Sequence, residues 1–150
     1  MGDRYAIEGQ ENAAASASAI LQITNATTLR GKIYDFSVSA SGAMEDDTVQ
    51  YDVLRFTVAP TDTTVTPRAL DPAAPAAVHS DCGENGGTSG TITANTEVFN
   101  QGIHVRAAYR WVAVPGGEIV LSAVAANGVV WRALASSYTG TVEATAHFEE

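Results

Sequence analysis

The chain has 150 residues, 45% of them hydrophobic, with 17 Asp and Glu against 8 Lys and Arg, a formal net charge of −9. That length predicts one domain able to bury a core without staples, and the apolar fraction excludes a disordered chain. The acidic balance repels phosphate and argues against nucleic-acid binding, no apolar run reaches membrane-spanning length, and the single cysteine, Cys82, excludes an internal disulfide.

The first residues lack the basic start and apolar stretch of a signal peptide, and Ala6 stands where myristoylation wants a hydroxyl. A cytoplasmic origin is expected, which leaves the Asn25 sequon idle. Residues 4–8 alternate and predict a short first strand. The Ala-rich stretch after Asn12 could favour helix, but Ala17, Ala19, Leu21 and Ile23 fall on one face at period two. Ser16, Ser18 and Gln22 lie opposite, so a strand is expected.

Residues 32–40 place Tyr34, Phe36, Val38 and Ala40 on one face and Asp35, Ser37 and Ser39 on the other, the pattern of a half-buried antiparallel strand. The acidic turn at 41–47 reads as a solvated loop, too poor in regularly spaced oxygens for a cation. In 48–58, Val49, Tyr51 and Val53 share one parity, and Leu54, Phe56 and Val58 the other. One extra residue flips every facing after it, so a β-bulge or sharp bend is expected near Val53 and Leu54.

Residues 59–90 carry little strand signal. Residues 65–81 hold three of the five prolines, which cannot donate to a ladder and stiffen the chain toward polyproline II. The expectation is a surface arm, within a loop spanning 60–90, that covers another subunit through Arg68, Leu70, Pro72 and Pro75. The Gly-rich run after it reads as a flexible connector.

Further strands are expected within 91–100, 102–114, 118–126, 129–135 and 139–150. Pro115 to Gly117 supplies one turn. Asn127-Gly128 predicts a type I′ hairpin, because both residues tolerate positive φ. In the last strand Val142, Ala144, Ala146 and Phe148 face inward, and Thr141, Glu143, Thr145 and His147 face out. With no helix and no repeat, the reading is one all-β domain: a jelly-roll-like β-sandwich or barrel of about eight antiparallel strands with a long Pro/Ala-rich loop.

No catalytic constellation stands out. His79, His104 and His147 are scattered without a His-x-His, so a metal-cupin ligand set fails on count. No Gly-x-Ser-x-Gly exists, and no carboxylate pair is singled out for glycoside cleavage. The expectation is no enzyme, no metal and no cofactor. His104, Arg106 and Arg110 would share one face of a strand, with Tyr109 and Trp111 on the other. They either pair with acids such as Glu97 or Glu118, or meet an acidic neighbour, another copy included. Residues 118–126 are apolar on both parities, as in a central strand or a subunit contact. Trp131 and Arg132 follow as core or interface residues.

Residues 93–133 and 139–150, with their Arg-Trp-Val before Pro-Gly-Gly, their Asn-Gly and their His-Phe-Glu-Glu end, join the Leu-Asp-Pro arm at 66–77 in a family likeness. They resemble small all-β proteins of tailed-bacteriophage virions. The likeness covers roughly the last 90 residues. It implies a capsid decoration (cement) protein: a homo-oligomer, with a trimer favoured, bound to the major capsid protein on the capsid exterior after synthesis in the host cytoplasm. Two other readings stay open. One is a carbohydrate- or receptor-binding β module whose Trp and Tyr rings stack on sugars; the other is a tail or filament structural subunit.

Overall fold

A computed structural model describes residues 2–13, 17–42, 45–88, 90–93, 96–134 and 136–150. Ser16 and residues 43–44 of the acidic turn lie outside the described residues. In chain order the strands are β1 (Arg4–Asn12), β2 (Ser18–Thr24), β3 (Lys32–Ser41), β4 (Thr48–Val58), β5 (Thr61–Val65), β6 (Arg68–Ala69), β7 (Cys82–Thr88), β8 (Thr91–Ile92), β9 (Phe99–His104), β10 (Tyr109–Val112), β11 (Ile119–Val120), β12 (Gly128–Ala133) and β13 (Thr141–Glu149). All ladders are antiparallel. One sheet runs β10-β3-β13-β1-β6, with β11 also beside β3. The other runs β5-β7-β2-β12-β4-β8, with β9 also beside β4. This is a sandwich and not a closed barrel. Among the described residues it has thirteen strands where about eight were expected, and β6, β8 and β11 are two-residue pieces.

The core lies between the sheets. Ile7, Ile33, Phe36, Val142, Ala146 and Phe148 meet Leu21, Ile23, Val53, Val129 and Trp131 there. β13 alternates without a break, so Val142, Ala144, Ala146 and Phe148 point inward as expected. Each large apolar side chain buried in this way contributes about 1.5–3 kcal/mol. Gly9 lets the sheets close up: a Cβ there would sit 2.5 Å from the Ile20 carbonyl oxygen.

The irregularity expected in β4 near Val53 and Leu54 is absent; β4 shifts register only further on, against β8 between Phe56 and Val58. β4 pairs with β12 in unbroken register from Tyr51 to Phe56. Both of its parities are buried because the outer face has a small core of its own, Ala19, Leu54, Phe56 and Val130, with Ala59 and Ile92 packed on it. Two further shifts move residues between core and outer face. In β3, Ile33 opposes Phe148 and Asp35 opposes His147, so Tyr34 is the extra residue and Ile33 takes its core place. In β2, Leu21 opposes Trp131 and Ala19 opposes Arg132, which makes Ile20 extra and sends Ala19 to the outer cluster.

Three loop and turn expectations are also corrected. Residues 102–114 are not one strand. β9 belongs to the second sheet and β10 to the first, and a turn in which the Ala107 N–H donates to the His104 carbonyl (2.8 Å) separates them. The Gly-rich connector is β7, paired with both β2 and β5. Its glycines permit close approach: a Cβ at Gly83 would overlap the Asp62 carboxylate, and one at Gly86 would sit 2.7 Å from the Ala19 Cβ. Asn127-Gly128 is not a type I′ hairpin. Ala126 carries the positive φ (64°), Gly128 opens β12, and the Phe56 ring occupies the space of its missing Cβ. The Pro115 turn forms as expected, with Gly116 at φ 84° and the Gly117 N–H donating to the Val114 carbonyl.

Candidate functional site

The proline-rich arm lies on its own sandwich. β6 pairs with β1 at Tyr5 and Ala6, and the Leu70 N–H donates to the Arg4 carbonyl. Asp71 closes a tight turn by accepting from the Ala73 N–H at 2.9 Å. The Tyr5 hydroxyl then donates to the Pro75 carbonyl at 3.0 Å. Ala77 and His79 are buried beyond it. The Glu150 carboxylate accepts from the N–H groups of Val78 and His79 and from the His79 ring. Arg68, Leu70, Pro72 and Pro75 remain exposed on the outer side of this strap. Arg68 approaches Glu8 at 4.0 Å with both side chains largely solvated, a contact of small energetic weight.

The expected row of His104, Arg106 and Arg110 does not exist, because the chain changes sheet between them. His104 Nε2 lies 3.0 Å from Asp46, and Arg106 is exposed in the turn. Arg110 forks onto Asp35: Nε donates to Oδ1 at 2.9 Å and Nη2 to Oδ2 at 2.5 Å. His147, across the ladder, adds Nδ1 at 3.2 Å from Asp35 Oδ2. These partners are neither Glu97 nor Glu118. The Arg110 hydrogen bonds hold the Asp35 carboxyl below the ordinary aspartate range; burial opposes them, and His147 adds to them.

Arg132 makes a second fork, on Asp52, its directly opposed neighbour in β4. Nε donates to Oδ1 at 3.0 Å and Nη2 to Oδ2 at 2.6 Å. This pair is closed in, with side-chain exposures of 15% and 3%. Trp131 is fully buried, its ring edge-on to Phe36 at a centroid distance of 5.9 Å. It therefore offers no face to a subunit or to a sugar, and the carbohydrate reading loses its first platform.

Sequence reasoning missed Asp35, Asp52, His79 and Glu150. For Asp52 a signal stood in the sequence, an acid flanked by Tyr51 and Val53 in a strand apolar on both parities; Asp35 read as one of the polar residues facing away from the core. His79 and Glu150 gave none, since their meeting depends on the path of the strap.

Two surface features remain. An open groove of ≈ 510 Å³ beside β1 has a polar lining that includes Glu8, Gln10, Thr64, Arg68, Glu84 and Glu143, three acids against one base. On the opposite edge of the first sheet, β10 is bare. Val112 is 58% exposed, Val114 72% and Tyr109 37%. An aromatic seam runs outward to this edge from Phe36, through Trp111 stacked at 5.1 Å and through Phe99 to Tyr109. Among the described residues no group of three or more His, Cys, Asp or Glu could hold a metal ion.

These features define a two-sheet antiparallel β-sandwich whose buried aspartates are held by arginine forks and whose bare β10 edge is apolar. No family model and no curated protein matches the chain. Among solved structures it aligns with the infectious bursal disease virus structure of the Gx strain, at 12% identity, over 99% of this chain and 40% of that one, with a TM-score of 0.21. It also aligns with a mutant VP2 protein of infectious bursal disease virus from derived T=1 particles, at 11% identity, over 96% and 40%, with a TM-score of 0.16. The chain thus spans two fifths of the length of each, and TM-scores this low carry no argument about fold or function.

Proposed function

We propose that this chain is a non-enzymatic structural protein of a virion, of the capsid decoration type, which self-associates and binds the major capsid protein on the capsid exterior. The observation that carries the reading is the contrast between interior and edge. The Asp52 and Arg132 ion pair holds strands together, and the Glu150 carboxylate, bonded to the Val78 and His79 N–H groups and the His79 ring, holds the strap in place. Val112 and Val114, on the β10 edge, are the most exposed large apolar side chains among the described residues. A β domain whose buried charges hold its own strands and strap, and whose margin is apolar, suits a part that works by contact. The resemblance to tailed-phage virion proteins supports the same reading. Many weak contacts on a repeating lattice would hold such a domain firmly through effective concentration.

The test mixes the purified full chain with tailed-phage capsids that lack decoration. Saturable co-sedimentation, together with oligomers in sedimentation velocity, is the expected result. A strict monomer with no affinity for any capsid overturns the proposal.

A further inference from the structure

β10 pairs with β3 on one side only. Trp111 opposes Phe36, Tyr109 opposes Val38, and the Ala113 N–H donates to the Tyr34 carbonyl at 2.9 Å. In an antiparallel strand the N–H and C=O of one residue point the same way, and the direction alternates along the chain. Tyr109, Trp111 and Ala113 therefore turn theirs to β3. Arg110 and Val112 turn theirs to the open side.

An open row of this kind is a template for another strand, and proteins normally blunt it with charge, proline or cover. Here the flanking side chains are the exposed Tyr109, Val112 and Val114. The one charge on the strand, Arg110, is already held by Asp35.

We propose that a second copy of this chain pairs its β10 antiparallel to β10 across a two-fold axis at Trp111, joining the two first sheets edge to edge. The inference rests on the self-association proposed above and names its surface. Two observations select a second copy as the occupant. The first is self-complementarity. With the axis at Trp111, Arg110 of each copy faces Val112 of the other, and the four free N–H and C=O pairs form four hydrogen bonds. This is the isologous pattern of a dyad contact.

The second is charge. The chain carries −9, so two copies repel over much of their surfaces, and the groove bearing Glu8, Glu84 and Glu143 is an unfavourable place to meet. Residues 98–117 contain no Asp or Glu, and β10 lies within them. On this strand an acidic chain approaches its twin with an apolar, charge-balanced face. A dyad contact builds dimers, not the trimers implied by the family resemblance.

The test is sedimentation velocity of the full chain over a concentration series, beside Val112→Pro and Val112→Lys. Proline at 112 deletes an N–H that faces solvent, so the β3 ladder stays intact and only the edge is blocked. Lysine keeps that N–H but sets a cation directly opposite Arg110 of the other copy. Circular dichroism identifies either variant that fails to fold, leaving the other to answer.

The expected result is a wild-type dimer, with dimerisation weakened roughly 10- to 100-fold in both variants. A wild type that oligomerises while folded variants do so equally well overturns the β10 contact and leaves self-association standing. A closed wild-type trimer also overturns it, because a dyad pairing does not close at three. A wild type that is monomeric at every concentration overturns both.

Discussion

His79 Nδ1 lies 2.5 Å from Glu150 Oε2 across 71 residues of sequence, and both side chains are shut off from solvent. The ring stands edge-on to Phe148, and its Nε2 is buried without a hydrogen-bond partner among the described residues. A carboxylate is a pure acceptor, so Nδ1 carries the shared proton in the neutral ring. Glu150 thus gathers three donors from the strap onto one carboxylate.

Glu150→Gln keeps the shape but turns one of these acceptors into a donor. The expected loss is about 1.5–3 kcal/mol, the worth of a hydrogen bond to a charged group. The loss should be local before it is global. Hydrogen exchange should quicken at the amides of Val78 and His79 while those of β13 stay protected. Uniform acceleration across both sheets would contradict the role of Glu150 as the strap's anchor.

The Asp52 and Arg132 fork gives a different signature. Removing one partner leaves a charge nearly closed off from water, so Asp52→Ala should cost roughly 3–5 kcal/mol in urea denaturation. Replacing both with apolar residues of similar volume, Asp52→Leu with Arg132→Met, should recover most of that loss. If the double variant is as unstable as the single, the pair contributes more than mutual neutralisation.

Asp35 couples stability to acid. Its folded carboxyl titrates below the ordinary value because of the Arg110 hydrogen bonds. The stability it contributes is whole above about pH 4, where the unfolded carboxyl is ionised, and fades as pH falls through the lower folded value. Asp35→Asn should melt below the parent near neutrality, and the gap in Tm should narrow toward about pH 2. A gap that stays constant with pH would remove the charge from the explanation.

Cys82 should be inert in the native state. Its thiol is buried and donates to the His79 carbonyl at 3.3 Å. Burial first, then Asp81, Glu150 and Asp62, push its pKa up to about 12. Ellman's reagent should react only as the protein unfolds, with a rate that follows denaturant. Stoichiometric labelling within seconds in native buffer would contradict the packing around β7.

The sequence by itself determined the all-β class, the strand character of β1, β3 and β13, the inward set Val142, Ala144, Ala146 and Phe148, and the Pro115 turn. These are local properties: successive strand side chains point to opposite faces, and proline followed by glycine selects a turn whatever surrounds it. The tertiary structure alone decided that the Gly-rich run pairs as β7, that the extra residues are Ile20 and Tyr34, and that β9 and β10 part company between sheets. It alone decided the partners of the charged groups too. Asp35 meets His147 across 112 residues, and Asp52 meets Arg132 across 80. The reason is physical: alternation is written in neighbouring side chains, whereas register and pairing depend on which distant strand arrives alongside.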